Sequence, residues 1–331
     1  RYPLVTGVQT CALPIYTIKR LLQSFLVVWA AASLMFALFF IIPGDPISLK
    51  SGEKALPQSV IDNINAKYGL DKPVYDQYLR FWKNLSHGDL GYSYKNDRSV
   101  NQILSEGIQT SARLLFWGAL FQLIIALTVG LVSAIKRGSL GDKIGTVFTV
   151  GIQGIPVFVS GLLAQYLFGV LPFQLHINWA NIFKPWPNEW VFGVIPQGQW
   201  QGILLPAIVV AVVDAAFIAR MLRSSLLEVL RADYIRTAFA KGLSPRRVWF
   251  HHALRNALIP VITVYGTSLI SIFGVAVQTE KVFSLPGMGS TIADSALGQD
   301  APVVLGLSIV VIAFGALINL IVDLKIGRAH V

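Results

Sequence analysis

The chain has 331 residues, of which 54% are hydrophobic and only 13% are charged, with a formal net charge of +10. Because soluble domains carry about 25% charged residues, this composition excludes an ordinary water-soluble globular protein and indicates an integral membrane protein. The single cysteine, Cys11, excludes an internal disulfide framework, and without a G-x-x-x-x-G-K-[ST] loop any ATP would have to be bound by another chain.

Both ends of the chain differ from the rest. Residues 1–16, RYPLVTGVQTCALPIY, show no helical periodicity, and residues 325–331, KIGRAHV, interrupt an apolar helical pattern. Both are similar to translated sequencing-adaptor read-through, so we predict that residues 1–17 and 325–331 are non-native. An ordinary disordered terminus is the alternative.

Six stretches are long and apolar enough for a membrane-spanning helix, which needs about 20 apolar residues. They run over about Leu21–Ile42, Leu114–Ile135, Ile144–Leu171, Ile203–Met221, Leu258–Val277 and Val303–Leu324. The first, within segment 18–42, is interpreted as an anchor because no A-x-A cleavage pattern follows it. Gly154 and Pro156 interrupt the third, which predicts a kinked helix packed through small residues, with a gating hinge as the alternative.

Residues 43–112 form a long loop after the first span, predicted to be an extracytoplasmic insertion. Within it, VYDQYLRFWKNL (Val74–Leu85) predicts a helix, because apolar residues recur at helical intervals at Tyr75, Tyr78, Leu79 and Trp82. After the fifth span, the pair Pro286-Gly287 predicts a type II turn.

Basic residues are concentrated in two short loops. The loop between the fourth and fifth spans carries eight Lys and Arg residues against Glu228 and Asp233, and the loop between the second and third spans is also basic. Because basic loops face the cytoplasm, we predict that both termini and this arginine-rich loop are cytoplasmic. The same placement explains the net charge without nucleic-acid binding.

The arginine-rich loop itself predicts two short helices. Residues 234–241 can form one helix, with Gly242 placed to end it in a left-handed conformation. Ser244 offers an N-cap hydroxyl, and Pro245 can begin a second helix that runs to about Asn256. That helix would have a cationic stripe of Arg247, His251 and Arg255, and an apolar face of Phe250, Ala253, Leu254 and Ala257.

From the residues alone, three interpretations of this loop stay open. It can be a basic amphipathic helix on anionic lipid headgroups, an anchor that fixes topology by charge, or a docking element whose first helix enters a groove on a cytoplasmic partner. Charge alone does not require the capped turn, and the small residues of TAFA before Gly242 suit insertion into a protein cleft.

Residues 234–263, YIRTAFAKGLSPRRVWFHHALRNALIPVIT, closely resemble the cytoplasmic coupling loop, or EAA motif, of ABC-importer permeases in the dipeptide/oligopeptide/nickel branch. The same branch is matched, in order, by PGDP (43–46), YGLDKPVYDQYLRFWKNLSHGDLGYS (68–93), GIPVFVSGLL (154–163) and EKVFSLPGMGS (280–290). The resemblance covers about residues 18–324. It departs where the motif's initial glutamate is absent and where Phe239 replaces an expected arginine.

The resemblance implies an all-α integral membrane protein with six transmembrane helices in the type I ABC importer permease fold and an external helical insertion. The core permease domain would span residues 113–324, with a coupling loop at 223–257. Coupling to the ATPase is implied for Tyr234, Ile235, Arg236, Thr237, Ala238, Phe239, Ala240, Lys241 and Gly242, supported by Ser244, Pro245, Arg247, His251, Arg255 and Asn256.

The resemblance also implies partners. A second permease subunit would complete a heterodimer, two ATP-binding subunits would carry ATP and Mg, and an extracytoplasmic solute-binding protein would deliver the cargo in a bacterial cytoplasmic membrane. This chain would bind no cofactor and would not be an enzyme. A di- or oligopeptide is the foremost cargo, with nickel and glutathione as alternatives.

Asp214 lies in the middle of the fourth span, where an ionisable residue is costly and commonly functional. We hypothesise that it faces the translocation path and meets a cationic part of the cargo. The alternative is an interhelical hydrogen bond with a neighbour such as Gln153 or Ser160, and Gln122 and Gln278 are weaker candidates.

Two other classes of protein are less consistent with the sequence. A stand-alone secondary transporter predicts internal symmetry or a relay of intramembrane acids, whereas the spans contain one acid and no evident repeat. An intramembrane enzyme needs paired catalytic polar residues within the spans, and we identify none.

Overall fold

The computed structural model describes residues 6–40, 71–175 and 200–330. Within these ranges the chain is helical, and the β-structure amounts to one isolated antiparallel bridge between Tyr92 and Ser99. The α-helices are α1 (Thr6–Phe40), α2 (Val74–Ser86), α3 (Val100–Ile135), α4 (Leu140–Gln153), α5 (Val157–Gln165), α6 (Leu171–Gln174), α7 (Leu204–Val229), α8 (Asp233–Ala240), α9 (Pro245–Arg247), α10 (Leu254–Val282), α11 (Met288–Leu297) and α12 (Ala301–His330). Two π-helical turns cover Tyr166–Val170 and Val248–Ala253, and a 3₁₀ turn covers Trp200–Ile203.

By length and composition, five helical segments of the described chain can cross a bilayer: Thr17–Leu38, Val100–Ile135, Leu204–Val229, Pro245–Val282 and Ala301–Asp323. The remaining predicted span is broken, since Leu140–Gln153 and Val157–Val170 are bent by 110° relative to each other. When this bent pair counts as one span, the predicted all-α, six-span architecture is confirmed.

The bend in the third span is larger than the predicted kink. Gly154 caps α4, and Pro156 follows with ψ 141°, an extended conformation that cannot continue an α-helix. Pro156 also lacks the N–H that an uninterrupted helix would require at that position. The interruption is therefore a complete break between two helices, α4 and α5.

Several helices are longer than the apolar stretches that predicted them. Helix α3 begins at Val100 rather than near Leu114. Its first turns are amphipathic, so a search for continuous apolar length does not detect them. Helices α1 and α12 also continue, from Thr6 and to His330, into the segments 1–17 and 325–331. Helical geometry does not test whether those segments are native, so this prediction stays open, as does the division at 18–42, 43–112 and 113–324.

The chain divides into two compact units, Arg1–Thr110 with Pro286–Val331, and Ser111–Leu285. In the first unit, α1 and α12 pack side by side, and their buried cluster comprises Ala32, Phe36, Leu305 and Ile309. Arg20 in the first half of α1 forms a 3.2 Å ion pair with Asp323 in the last third of α12. These contacts make the two helices antiparallel.

Helix α2 confirms the helix predicted at Val74–Leu85, but the predicted apolar face is only partly right. The residues packed against α1 and α12 are Tyr78, Phe81, Trp82 and Leu85. Tyr75 and Leu79 are instead 68% and 48% exposed, because they lie outside the stripe that meets α1. Residues 43–70, the first part of the predicted insertion, lie outside the described residues.

The apolar core of the second unit is split into two clusters along the spans. The loop-end cluster lies beside the arginine-rich loop and includes Ala215, Leu222, Leu226, Ile235, Ala238, Val248, Ala253, Ala257 and Val261. The far-end cluster includes Leu114, Ile203, Leu205, Val210, Ile272, Ala276, Phe283 and Leu285. Helices α3 and α7 touch closely at Gly130, where a Cβ would lie 2.7 Å from the Ala219 carbonyl oxygen.

The turn after α10 is not the predicted type II turn. That turn requires a positive φ at its third residue, whereas Gly287 has φ −111° and serves as the N-cap of α11. The left-handed residue is Ser284, with φ 51°. It ends α10 in a Schellman arrangement, in which the Leu285 N–H donates to the Glu280 carbonyl at 2.8 Å.

Candidate functional site

The first helix of the arginine-rich loop, α8 (Asp233–Ala240), forms as predicted. Gly242 has φ 77°, which only glycine adopts without strain. The Gly242 N–H donates to the Phe239 carbonyl at 2.9 Å and the Leu243 N–H to the Ala238 carbonyl at 3.3 Å, which completes a Schellman motif. Gly242 therefore fixes the direction in which the chain leaves α8.

The second predicted helix begins where expected, but it has no side-chain N-cap and does not end at the predicted residue. Ser244 occupies the N-cap position before Pro245, but its side chain makes no capping hydrogen bond. The helix also does not stop near Asn256, since Pro245–Val282 is one continuous helical segment. The loop therefore leads directly into the fifth span, with no break in the helix between them.

A π-helical turn at Val248–Ala253 changes which residues of this segment face inward. The predicted stripe of Arg247, His251 and Arg255 is exposed, as expected. Phe250, however, is 55% exposed, and Val248 takes its place in the loop-end cluster. A π-turn adds one residue to the helical repeat, so the four-residue spacing used to assign the apolar face does not hold across it.

Helix α8 is held in the core of the second unit by its buried face. Ile235 and Ala238 are 1% and 7% exposed, and both belong to the loop-end cluster with residues of α7 and of the π-turn. Asn256 Nδ2 also donates to the Tyr234 hydroxyl at 2.8 Å. Helix α8 is therefore in contact with the end of α7 and the start of α10.

The opposite face of α8 is exposed and carries aromatic and basic groups. Phe239 and Tyr234 are 44% and 42% exposed, and the Arg236 guanidinium lies 3.6 Å from Asp233, with 77% of its side chain exposed. The other exposed residues are Thr237, Ala240, Lys241 and Gly242. Exposed aromatic groups beside arginine are typical of protein-docking surfaces, and we call Tyr234, Arg236, Thr237, Phe239, Ala240, Lys241 and Gly242 the coupling face.

Asp214 lies between the two apolar clusters, and its Oδ2 atom is buried without a hydrogen-bond partner among the described residues. The predicted alternative partner Gln153 is engaged elsewhere, since its Oε1 accepts from Arg220. On α7 the far-end cluster reaches Val210 and the loop-end cluster resumes at Ala215. Asp214 thus interrupts the apolar packing at the middle of the span.

Two further polar residues, Gln122 and Ser268, lie between the far-end cluster and the loop-end cluster. Gln122 on α3 is fully buried and donates from Nε2 to Ser268 Oγ on α10 at 3.0 Å, while its Oε1 has no partner in the described part of the chain. A Cβ at Gly118 would touch Val210, just as Gly130 touches Ala219, so α3 and α7 run parallel with Gln122 near the level of Asp214. We call Gln122, Asp214 and Ser268 the mid-span polar layer.

An ion pair between α4 and α7 was missed by the sequence analysis. Arg223 donates from Nε and Nη2 to Asp142 Oδ1 and Oδ2, at 2.8 and 2.9 Å. The available signal was the S-x-x-D spacing of Ser139 and Asp142, in which Asp142 supplies the acid of a helix's first turn. Counting both residues only as loop charges concealed their contact.

A second missed group lies in the first unit, outside the predicted spans. Asp300 is buried and accepts hydrogen bonds from the Ser93 hydroxyl and, at 2.9 Å, from the Tyr94 backbone N–H. Burial, together with the nearby Asp300 carboxylate, raises the pKa of the Tyr94 phenol. Asp300 therefore fixes the loop between α2 and α3 onto the start of α12.

Across the described ranges, no three His, Cys, Asp or Glu side chains come together as metal ligands.

Two models of protein families match this chain. The family model for the inner membrane component of binding-protein-dependent transport systems matches residues 126–327. The model for the N-terminal part of such membrane components matches residues 14–114.

Curated relatives match nearly the whole chain. It is 38% identical over 310 residues to the di/tripeptide transport system permease protein DppB of Pseudomonas aeruginosa, covering 90% of this chain and 92% of that protein. It is 36% identical over 315 residues to the oligopeptide permease protein OppB of Haemophilus influenzae, covering 93% and 95%. It is also 36% identical over 309 residues to the dipeptide permease protein DppB of Escherichia coli K12, covering 89% and 91%. With these spans and these matches, the chain belongs to the family of inner membrane components of binding-protein-dependent transport systems.

Proposed function

We propose that this chain is the translocation subunit of an ATP-driven importer for di- or oligopeptides in a bacterial cytoplasmic membrane. The names of its relatives, which are di/tripeptide, dipeptide and oligopeptide permease proteins, support a peptide cargo over nickel or glutathione. The observation that supports the proposal most directly is the position of α8. Ile235 and Ala238 pack in the core of the second unit, while Phe239 is exposed and available to a partner.

In this proposal the chain works within a complex. A second, related permease subunit completes the pathway. Two ATP-binding subunits, which carry ATP and Mg, dock on the cytoplasmic side of the permease pair, one of them on the coupling face. An extracytoplasmic solute-binding protein delivers the cargo. The family description, an inner membrane component of a binding-protein-dependent transport system, supports this division of labour.

Helix α8 is the proposed mechanical link. Closure of the ATP-binding subunits would bind one position of α8 more tightly than another and so shift the population between inward-facing and outward-facing states. The shared loop-end cluster supports this role, because α8 packs there against both α7 and the π-turn that begins the fifth span. Gly242 and the Pro245 turn would hold the helix at a fixed angle.

Both termini and the coupling face are proposed to be cytoplasmic. The concentration of lysine and arginine near Arg223 and Arg247 supports this orientation. The antiparallel pairing of α1 and α12, with Arg20 beside Asp323, supports placing both termini on the same side. Accessibility labelling of an introduced cysteine at Thr237 in a Cys11→Ser background tests the orientation, and labelling from outside the cell would contradict it.

Asp214 is proposed to line the translocation path and to meet a cationic group of the cargo, such as a peptide's terminal ammonium. The unpaired Oδ2 of Asp214 supports this role, since an unpaired buried oxygen in a membrane span is costly unless a donor reaches it. Uptake by Asp214→Asn should fall more for peptides with a free amino terminus than for N-acetylated ones. Equal uptake of both by variant and parent would instead favour a packing role.

Isolation of the complex tests the proposed function as a whole. The chain, carrying an affinity tag and expressed in its native host, should copurify with ATP-binding subunits and a second permease. The reconstituted complex should then take up dipeptides only with ATP and the binding protein. If the chain alone in liposomes takes up peptides along an ion gradient, it is a secondary transporter and the proposal is wrong.

A further inference from the structure

Helix α7 holds α4 through two arginines that are about one helical turn apart. Arg223 forms the bidentate ion pair with Asp142 in the first turn of α4. Arg220 donates from Nη1 to the Thr149 carbonyl at 3.2 Å and from Nη2 to Gln153 Oε1. The two arginines therefore contact α4 near its start and at its last residue.

Asp142 is preorganised to receive Arg223. Its side chain is 7% exposed, and its Oδ2 also accepts from the Gly138 N–H at 2.9 Å. The Ser139 hydroxyl accepts from the Asp142 N–H at 3.4 Å, which caps the helix. A bidentate pair with this burial and support is more rigid than an exposed pair such as Arg98–Glu106, whose side chains are 46% and 61% exposed.

The same part of α7 also contacts the coupling helix. Leu222 and Leu226 share the loop-end cluster with Ile235 and Ala238 of α8. One segment of α7 therefore carries α8 on one side and, through Arg220 and Arg223, α4 on another. Helix α7 therefore connects α8 directly to α4.

The other arm of the broken span, α5, packs at the far-end cluster, where it contacts both α10 and α7. On α5, Gln165 Nε2 donates to the Val282 carbonyl at 2.9 Å, and a Cβ at Gly161 would lie 3.0 Å from Val282 Cγ1. Val282 is the last residue of α10 and packs against the far-end cluster. The two arms, α4 and α5, are thus anchored at opposite ends of the second unit, with the 110° bend between them.

We propose that Arg220 and Arg223 are positioning residues that make α4 move with the loop end of α7 and the coupling helix, while the bend at residues 154–156 takes up the movement relative to α5. This inference rests on the proposed function, because it assigns a path for the displacement of α8. It makes the broken third span a jointed element of the transport cycle.

A charge exchange tests the pair. In the reconstituted complex, Asp142→Arg and Arg223→Asp should each lower peptide uptake per ATP hydrolysed by about 10-fold, the size of a typical coupling effect. The double variant should recover part of the loss, because the ion pair is restored but the acceptor for the Gly138 N–H is not. The exposed pair provides the control, since exchanging Arg98 and Glu106 should leave the ratio unchanged. Assembled single variants with the parent ratio, or an assembled double variant without recovery, would overturn the inference.

A distance measurement covers the case in which single variants do not assemble. Spin labels in an otherwise unsubstituted Cys11→Ser complex would be placed at the exposed residues Val147 on α4, Ser224 on α7 and Leu163 on α5. On ATP binding, the Val147–Ser224 distance should change by less than about 2 Å, the scale of small helix shifts, while Val147–Leu163 changes by more. If the Val147–Ser224 distance changes more than the Val147–Leu163 distance, the inference that α4 moves with α7 is refuted. Loss of ATP-driven uptake in the unlabelled complex would instead refute the proposed function.

Discussion

Replacing Phe239 by alanine should weaken docking of the ATP-binding subunits without affecting the fold of this chain. Phe239 is 44% exposed, which for a phenylalanine of about 200 Å² leaves about 90 Å² available to a partner. At about 25 cal/mol per Å², covering that area contributes about 2 kcal/mol. The variant should therefore bind the ATP-binding subunits about 30-fold more weakly.

Ile235 on the same helix provides the opposite case. It is 1% exposed within the loop-end cluster, so Ile235→Ala should cost about 2–5 kcal/mol of folding free energy through lost burial and a cavity. Phe239→Ala should change that free energy by less than about 0.5 kcal/mol, as exposed substitutions usually do. Ala238, at 7% exposure, also belongs to the packed face, so a charge placed there would test folding rather than docking.

The assay is a titration of purified ATP-binding subunits onto the permease pair in nanodiscs, with melting temperatures measured on the same samples. Phe148→Ala is the matched control, because Phe148 is 45% exposed but lies on α4 within a span. The expected result is weaker binding for Phe239→Ala, a lower melting temperature for Ile235→Ala, and neither change for Phe148→Ala. Parent-like affinity of the Phe239→Ala variant would refute the assignment of the coupling face.

Three further predictions concern stability and pH. Gly242→Ala should lower uptake and stability, by about 1–2 kcal/mol for a left-handed residue, and Gly242→Asn should lose less, since asparagine tolerates φ 77° better; equal losses in thermal unfolding would contradict this. Gly130→Val should lower the melting temperature strongly, because even a Cβ would lie 2.7 Å from the Ala219 carbonyl oxygen, and an unchanged value would rule out the close contact. Because the pKa of the Tyr94 phenol is raised in the folded state, its contribution to stability is fully present below the unfolded pKa of about 10 and is lost as the pH rises above that value. The melting temperature of Tyr94→Phe should therefore fall less steeply with alkaline pH than that of the parent. Identical melting temperatures at every pH would count against a buried phenol.

Local chemistry in the sequence predicted the parts of the site that depend on one or two residues. Gly242 ends α8 in the left-handed conformation because no side chain opposes it there. The spans followed from apolar length alone. Such features are encoded within a few neighbouring positions, so they can be recognised without knowledge of the tertiary structure.

The features that were missed depend on tertiary contacts. The π-turn at 248–253 shifts the inward face from Phe250 to Val248, and an i, i+4 pattern gives no sign of it. The pairing of Asp142 with Arg223 joins residues far apart in the chain, and a charge count treats both as solvated. The left-handed residue after α10 is Ser284 rather than a glycine, so the usual glycine signal pointed to the wrong position.

Photo-crosslinking from the coupling face tests the central claim most directly. A photoreactive residue at position 237, which is exposed on α8, would be activated in membranes from the native host, with position 148 on α4 as the control. The account predicts an adduct between position 237 and an ATP-binding subunit, and none from position 148. No adduct from 237 in cells that import peptides, or an equal yield from both positions, would contradict it.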